Sequence, residues 1–60
     1  MEELQKIVEE INTATEAFKA NAEAQITKGN KAAGTRARKA ALELMKSLKE
    51  FRKVSIEASK

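Results

Sequence analysis

The chain has 60 residues, with 12 Lys/Arg against nine Glu and a net charge of +3. It contains no Cys, His, Asp, Trp, Tyr or Pro, which excludes disulfide staples, thiolate or imidazole nucleophiles and zinc sites of the His/Cys type. One small domain over 1–60 is expected, with no cofactor, no metal site, no small-molecule substrate and no enzymatic activity.

Other broad classes fall as quickly. No run approaches about 20 apolar residues, so no membrane span is expected. The opening MEELQKIVEE is acidic and amphipathic, unlike a secretory signal. The missing Cys suits a cytoplasmic protein. A charged fraction of 35% would fit disorder, but 42% of the residues are hydrophobic and recur at helical intervals.

The first predicted element is a helix over about 2–28. Its apolar stripe is Leu4, Ile7, Val8, Ile11, Ala14, Phe18, Ala22 and Ile26, in steps of three and four. Gly29-Asn30 follows as the one strong break. Gly suits the left-handed position after a helix, Asn suits an N-cap, and Lys28 favours the carboxyl end of the helix dipole. The second helix is predicted over about 31–58, with the stripe Ala33, Ala37, Ala41, Leu44, Leu48, Phe51, Ser55 and Ala58. A two-residue connection makes the helices antiparallel neighbours, so the fold class is all-α, an antiparallel helical hairpin. Leu42, Met45 and Ile56 lie beside the main stripe and widen the apolar arc. A lone two-helix hairpin has little core, so a homodimer forming a four-helix bundle is expected, with Leu42, Met45 and Ile56 at its interface.

Charge is polarised along this hairpin. Residues 1–28 hold six Glu and three Lys, a net of −3; residues 29–60 hold nine Lys/Arg and three Glu, a net of +6. From Ala24 to Leu42 there is no acidic residue, and that stretch carries Lys28, Lys31, Arg36, Arg38 and Lys39. Beyond it, Lys39, Glu43, Lys46, Glu50, Lys53, Glu57 and Lys60 alternate at helical spacing and largely neutralise one another. Lys49 and Arg52 lie off that alternation. A cationic cluster on the first turns of a helix opposes the helix dipole but favours a bound phosphate. The small residues Ala32, Ala33 and Gly34 leave room for a backbone to approach. Gly34 also permits a later helix start, with Thr35 as N-cap.

The expected phosphate-binding residues are therefore Lys31, Arg36, Arg38 and Lys39, with Lys28, Lys46, Lys49, Arg52 and Lys53 secondary. There is no base-reading motif, and both Phe residues fall on core stripes, so no aromatic platform is offered to bases. Binding to double-stranded DNA would then be tolerant of sequence and sensitive to salt. RNA presents the same phosphate chemistry. A symmetric dimer would carry two patches and bridge or condense duplexes.

Across residues 29–60 the chain resembles the bacterial linker-histone-like proteins, of which the chlamydial histone-like protein is best known. The resemblance is carried by Gly29-Asn30-Lys31-Ala32-Ala33, Arg36-x-Arg38, Leu44, Phe51-Arg52-Lys53 and Ser55-Ile56. It implies a nucleoid-associated, DNA-binding and DNA-condensing role in a bacterial cytoplasm. Chlamydial-type members continue into a long Lys- and Ala-rich tail. The expectation here is a short, tail-less member, with weight shifted onto the turn cluster. Two rival readings make different demands. A structural protein–protein interaction module would cover Leu42, Met45 and Ile56 and retain no DNA. An anionic-membrane helix would want exposed interfacial aromatics, which are missing.

Overall fold

A computed structural model describes residues 2–59. Two helices, α1 (Glu2–Lys28) and α2 (Lys31–Ala58), run antiparallel as a rod of 47 × 14 × 12 Å. The ends of both elements are set by local chemistry. Glu2 and Glu3 occupy the first turn of α1 and Lys28 its last, each matching the dipole. Gly29 adopts φ +63°, the left-handed conformation that stops α1 without a Cβ penalty, and its N–H still donates to the Gln25 carbonyl at 3.0 Å. Asn30 is extended (φ −77°, ψ 108°), and its side-chain oxygen accepts from the Ala33 N–H at 3.1 Å. That cap starts α2 at Lys31, so the later start at Thr35 does not occur. Lys60, the last of the alternating charges, lies outside the described residues.

The helices meet along a seam of small side chains. The buried hydrophobic residues are Ile7 and Ala14 from α1 and Ala33, Ala37 and Ala40 from α2; Ala33 is fully buried. On α2 the inward positions are Ala33, Ala37, Ala40, Leu44, Ser47, Phe51 and Val54, an unbroken alternation of steps of four and three. This is the heptad-like spacing of a helix packed against one neighbour. Gly34 belongs to the same approach, because a Cβ there would lie 2.6 Å from the end of the Gln25 side chain. Ala33 and Gly34 are thus covered by α1, not left open for an approaching backbone. Small residues at the turn end let the helices come close, and that use consumes them.

Several expected core members are not inside. Val8 and Phe18 are exposed, Ile26 is 82% exposed, and Leu48 is exposed on α2, as is Ala58. For Val8, Ile26 and Leu48 the physical reason is a rotation of the contact face. At 100° per residue the seam on α1 centres on Ile7 and Ala14, which turns Val8 and Ile26 about 100° off it. On α2, Ala40 replaces Ala41 at the centre, which turns Leu48 to the flank.

The hairpin therefore has two unlike sides. Increasing residue number turns α1 clockwise when viewed from its N-terminus. In the same view α2 approaches and turns the other way, so residues just after a seam position point to the same side of the rod on both helices. That side carries Leu4, Val8, Ile11 and Ile26 from α1 and Met45 and Leu48 from α2, and we call it the apolar side. The opposite side carries a groove of about 620 Å³ lined by Lys6, Glu10, Thr13, Glu43 and Lys46 among others, and we call it the polar side. Met45 is 62% exposed, Ile56 61% and Leu42 57%. Met45 lies on the apolar side, Ile56 at its margin, and Leu42 points away from α1 altogether. The chain exposes 4908 Å², whereas a compact monomer of 6.6 kDa exposes about 3,900 Å².

Candidate functional site

The turn end of the rod gathers the acid-free stretch. Lys28 closes α1, Lys31 opens α2, and no acidic residue occupies the first turn of α2. The helix there presents free backbone N–H groups and the positive end of its dipole, with only the neutral Asn30 amide as cap. Among the described residues, Lys28, Lys31, Arg36, Arg38 and Lys39 have no carboxylate within ion-pair distance.

The two arginines are held by neutral partners. Arg36 Nε donates to Asn21 Oδ1 at 2.8 Å, and Asn21 Nδ2 donates to the Ala17 carbonyl at 2.8 Å. The guanidinium is thereby tethered to α1 by its inner N–H, and its two terminal nitrogens are left for another acceptor. Arg38 Nη2 donates to Thr35 Oγ1 at 3.3 Å, and that hydroxyl donates to the Lys31 carbonyl at 3.3 Å. Neither link removes charge, so the cluster keeps its full field.

Geometry divides the expected site. Arg36 immediately precedes seam residue Ala37 and turns to the polar side, where Lys28 and Lys39 also lie. Lys31 sits outward at the tip. Arg38 follows Ala37 and turns to the apolar side. The distal cations, Lys46, Lys49, Arg52 and Lys53, lie at least four helical turns from Asn30 and form no common patch with the tip. Lys46 lies beside Glu43 in the polar groove, and Lys49 and Lys53 lie beside Glu3 and Glu50 in a second groove. Asn21 was not visible as a site residue in the sequence. The signal was its position: with the turn at 29–30, residues whose numbers sum to about 57–60 face each other, as Asn21–Arg36 and Gln25–Gly34 do.

Among the described residues, no group of His, Cys, Asp or Glu is arranged to hold a metal ion, and no helix is long and apolar enough to cross a membrane. What the tip can do chemically is bind an anion: one tethered guanidinium, three ammonium groups and a helix amino end, with no competing carboxylate. A family model described as "Histone H1-like protein Hc1" matches residues 2–60. Comparisons with curated proteins and with solved structures give no match.

Proposed function

Because the chain belongs to the histone H1-like Hc1 family, we propose that it is a nucleoid-associated protein that contacts the phosphates of double-stranded DNA without strong sequence preference and bridges or condenses duplexes. The family supports a histone-like, DNA-binding role in general and association with the nucleoid. The observation that carries the finer reading is the acid-free cluster at the amino end of α2, with Arg36 oriented by a neutral amide. Lys28, Lys31, Arg36 and Lys39 make the phosphate contacts. Arg38, on the other side, and the distal Lys46, Lys49, Arg52 and Lys53 add to the general positive field. Phosphate contacts position a protein but carry no sequence information.

The working unit is a homodimer. Among the described residues no large side chain is fully buried, and the surface excess over a compact monomer is about 1,000 Å², the scale that one partner buries in a standard interface. The apolar side supplies that interface with Met45 at its centre and Ile56 and Leu42 towards the rim.

A duplex titrated at several salt concentrations, beside sedimentation of the free protein, tests both parts. Four phosphates per hairpin predict a log–log slope of about −3.6 for each hairpin engaged, at roughly 0.9 per contact. RNA duplexes of the same length report whether the sugar matters. Failure to retain DNA at about 50 mM salt, in a protein that sediments as a dimer, would leave the protein-interaction reading in its place.

A further inference from the structure

We propose, resting on the DNA-binding reading above, that the outward face of α2 docks in the minor groove of a duplex and that Leu42 enters there as a wedge between two base pairs, kinking the DNA. Leu42 is 57% exposed and points away from α1. Among the described residues, the other large exposed hydrophobics of α2 are Met45, Leu48 and Ile56, which lie on the apolar side or at its margin. Neither the seam nor the centre of the homodimer interface accounts for Leu42. From its place at the rim, a second copy packed on the apolar side leaves it open to solvent.

The surroundings of Leu42 are cationic on both flanks. Positions three and four residues apart share a helix face, and for Leu42 these are Arg38, Lys39, Met45 and Lys46. Arg38 borders it towards the apolar side, and Lys39 and Lys46 border it towards the polar side. Among the described residues none of these three cations has a carboxylate within ion-pair distance. Glu43, next in the chain, turns about 100° away into the polar groove, which Lys46 also lines. Arg38 and Lys39 are thus the unopposed pair that straddles the leucine.

An apolar centre between two cationic flanks matches the minor groove, where a phosphate backbone runs close on either side of a floor that says little about sequence. None of the four neighbours of Leu42 carries an amide or hydroxyl to read a base edge, in keeping with that floor. A helix is about 10–12 Å across with its side chains and the groove about 6 Å wide, so entry requires the groove to open. An apolar side chain pushed between base steps opens it: partial unstacking bends the duplex towards the major groove and brings more backbone within reach of the protein. Lys39 belongs both to this face and to the cluster at the turn, and Leu42 stands only about 4.5 Å further along the helix axis. A duplex held by Lys31 and Lys39 is in position to receive it. Pyrimidine–purine steps unstack most easily, so the kink should favour them without any base contact.

A short duplex with a fluorophore at each end and a fluorescent adenine analogue at a central pyrimidine–purine step tests the wedge at saturating protein. Wild-type protein is expected to draw the ends together by a kink of at least about 20° and to brighten the analogue as its stack opens. Leu42→Ala should abolish both signals, while its Kd rises no more than about 10-fold, because the unstacking cost disappears with the wedge. Its salt slope should not change, since no phosphate contact is lost. Leu42→Met keeps an apolar side chain of similar length and should keep both signals; helical circular dichroism checks that each variant folds. Wild-type protein that binds the duplex with neither signal, or a Leu42→Ala variant that bends it as well as wild type, overturns the wedge and leaves DNA binding in place. So does a Leu42→Ala variant that keeps the kink but changes the oligomeric state, or that keeps the kink but loses retention on vesicles of anionic phospholipid; the face then belongs to a second copy or to a membrane surface. Wild-type protein that retains no duplex overturns the DNA-binding reading together with the wedge.

Discussion

Lys31→Ala combined with Arg36→Ala is expected to weaken duplex binding by on the order of 10²-fold or more and to flatten the salt slope by about 1.8 per hairpin. The slope change follows from two lost phosphate contacts at about 0.9 each. The affinity change follows from charge-assisted hydrogen bonds worth roughly 1.5–3 kcal/mol apiece. Both quantities come from one electrophoretic or fluorescence titration repeated across salt. Asn21→Ala provides the contrast. It removes the amide that tethers Arg36 Nε at 2.8 Å but no charge, so affinity should fall only about 2- to 10-fold, the worth of one neutral hydrogen bond, with the slope unchanged. If the double variant keeps wild-type affinity and slope, the phosphate site is not at the turn. If Asn21→Ala changes the slope, the amide does more than orient.

The second large effect is on stability. Ala33 is fully buried where α1 and α2 approach most closely, beside Gly34 and opposite Gln25. Ala33→Leu forces extra carbons into a packed seam, which costs about 1–3 kcal/mol. In a chain of this size each kcal/mol moves the melting midpoint by about 4–8 °C, so a drop on the order of 10 °C should appear in helical circular dichroism. Ala32→Leu, one residue away and exposed, should stay within about 0.5 kcal/mol of the parent. Gly34→Ala should be mild too, because the group that a new Cβ meets is the movable end of an exposed glutamine. Equal melting of the Ala33 and Ala32 variants would mean that the helices do not close at that level.

The elements of this fold are legible residue by residue, because their signals are local. Gly29 and Asn30 punctuate the chain by themselves: terminal charges and the left-handed glycine bound α1, and the Asn30 cap starts α2. What the sequence leaves open is which face of each helix turns inward. Both helices carry two adjacent apolar rows about 100° apart, such as Ala40/Leu44 beside Ala41/Met45/Leu48. Periodicity scores the two rows almost equally. The structure selects the row with more alanine on α2, because small side chains allow the closer approach, and the bulkier row with Met45 and Leu48 stays exposed. Two rows on each helix are also what a bundle of more than two helices requires. At the candidate site, counting charges is enough to locate the cluster. The division of Arg36 from Arg38 emerges only when Ala37 between them is known to face α1. The Asn21–Arg36 bond spans 15 residues of sequence and exists only through the antiparallel register.

The cap of α2 has a consequence for how this protein can be changed. Asn30 uses an uncharged amide to accept from Ala33. An aspartate would accept the same bond and would suit the helix dipole better, so it is the exchange that a search for thermal stability would choose. It would also introduce a negative charge into a stretch of 19 positions, Ala24 to Leu42, that has none. On the proposed phosphate site, the stabilising substitution would thus be the one that erodes polyanion affinity. With phosphates bound at the turn, as proposed, folding strength and grip on DNA would pull in opposite directions at a single side chain.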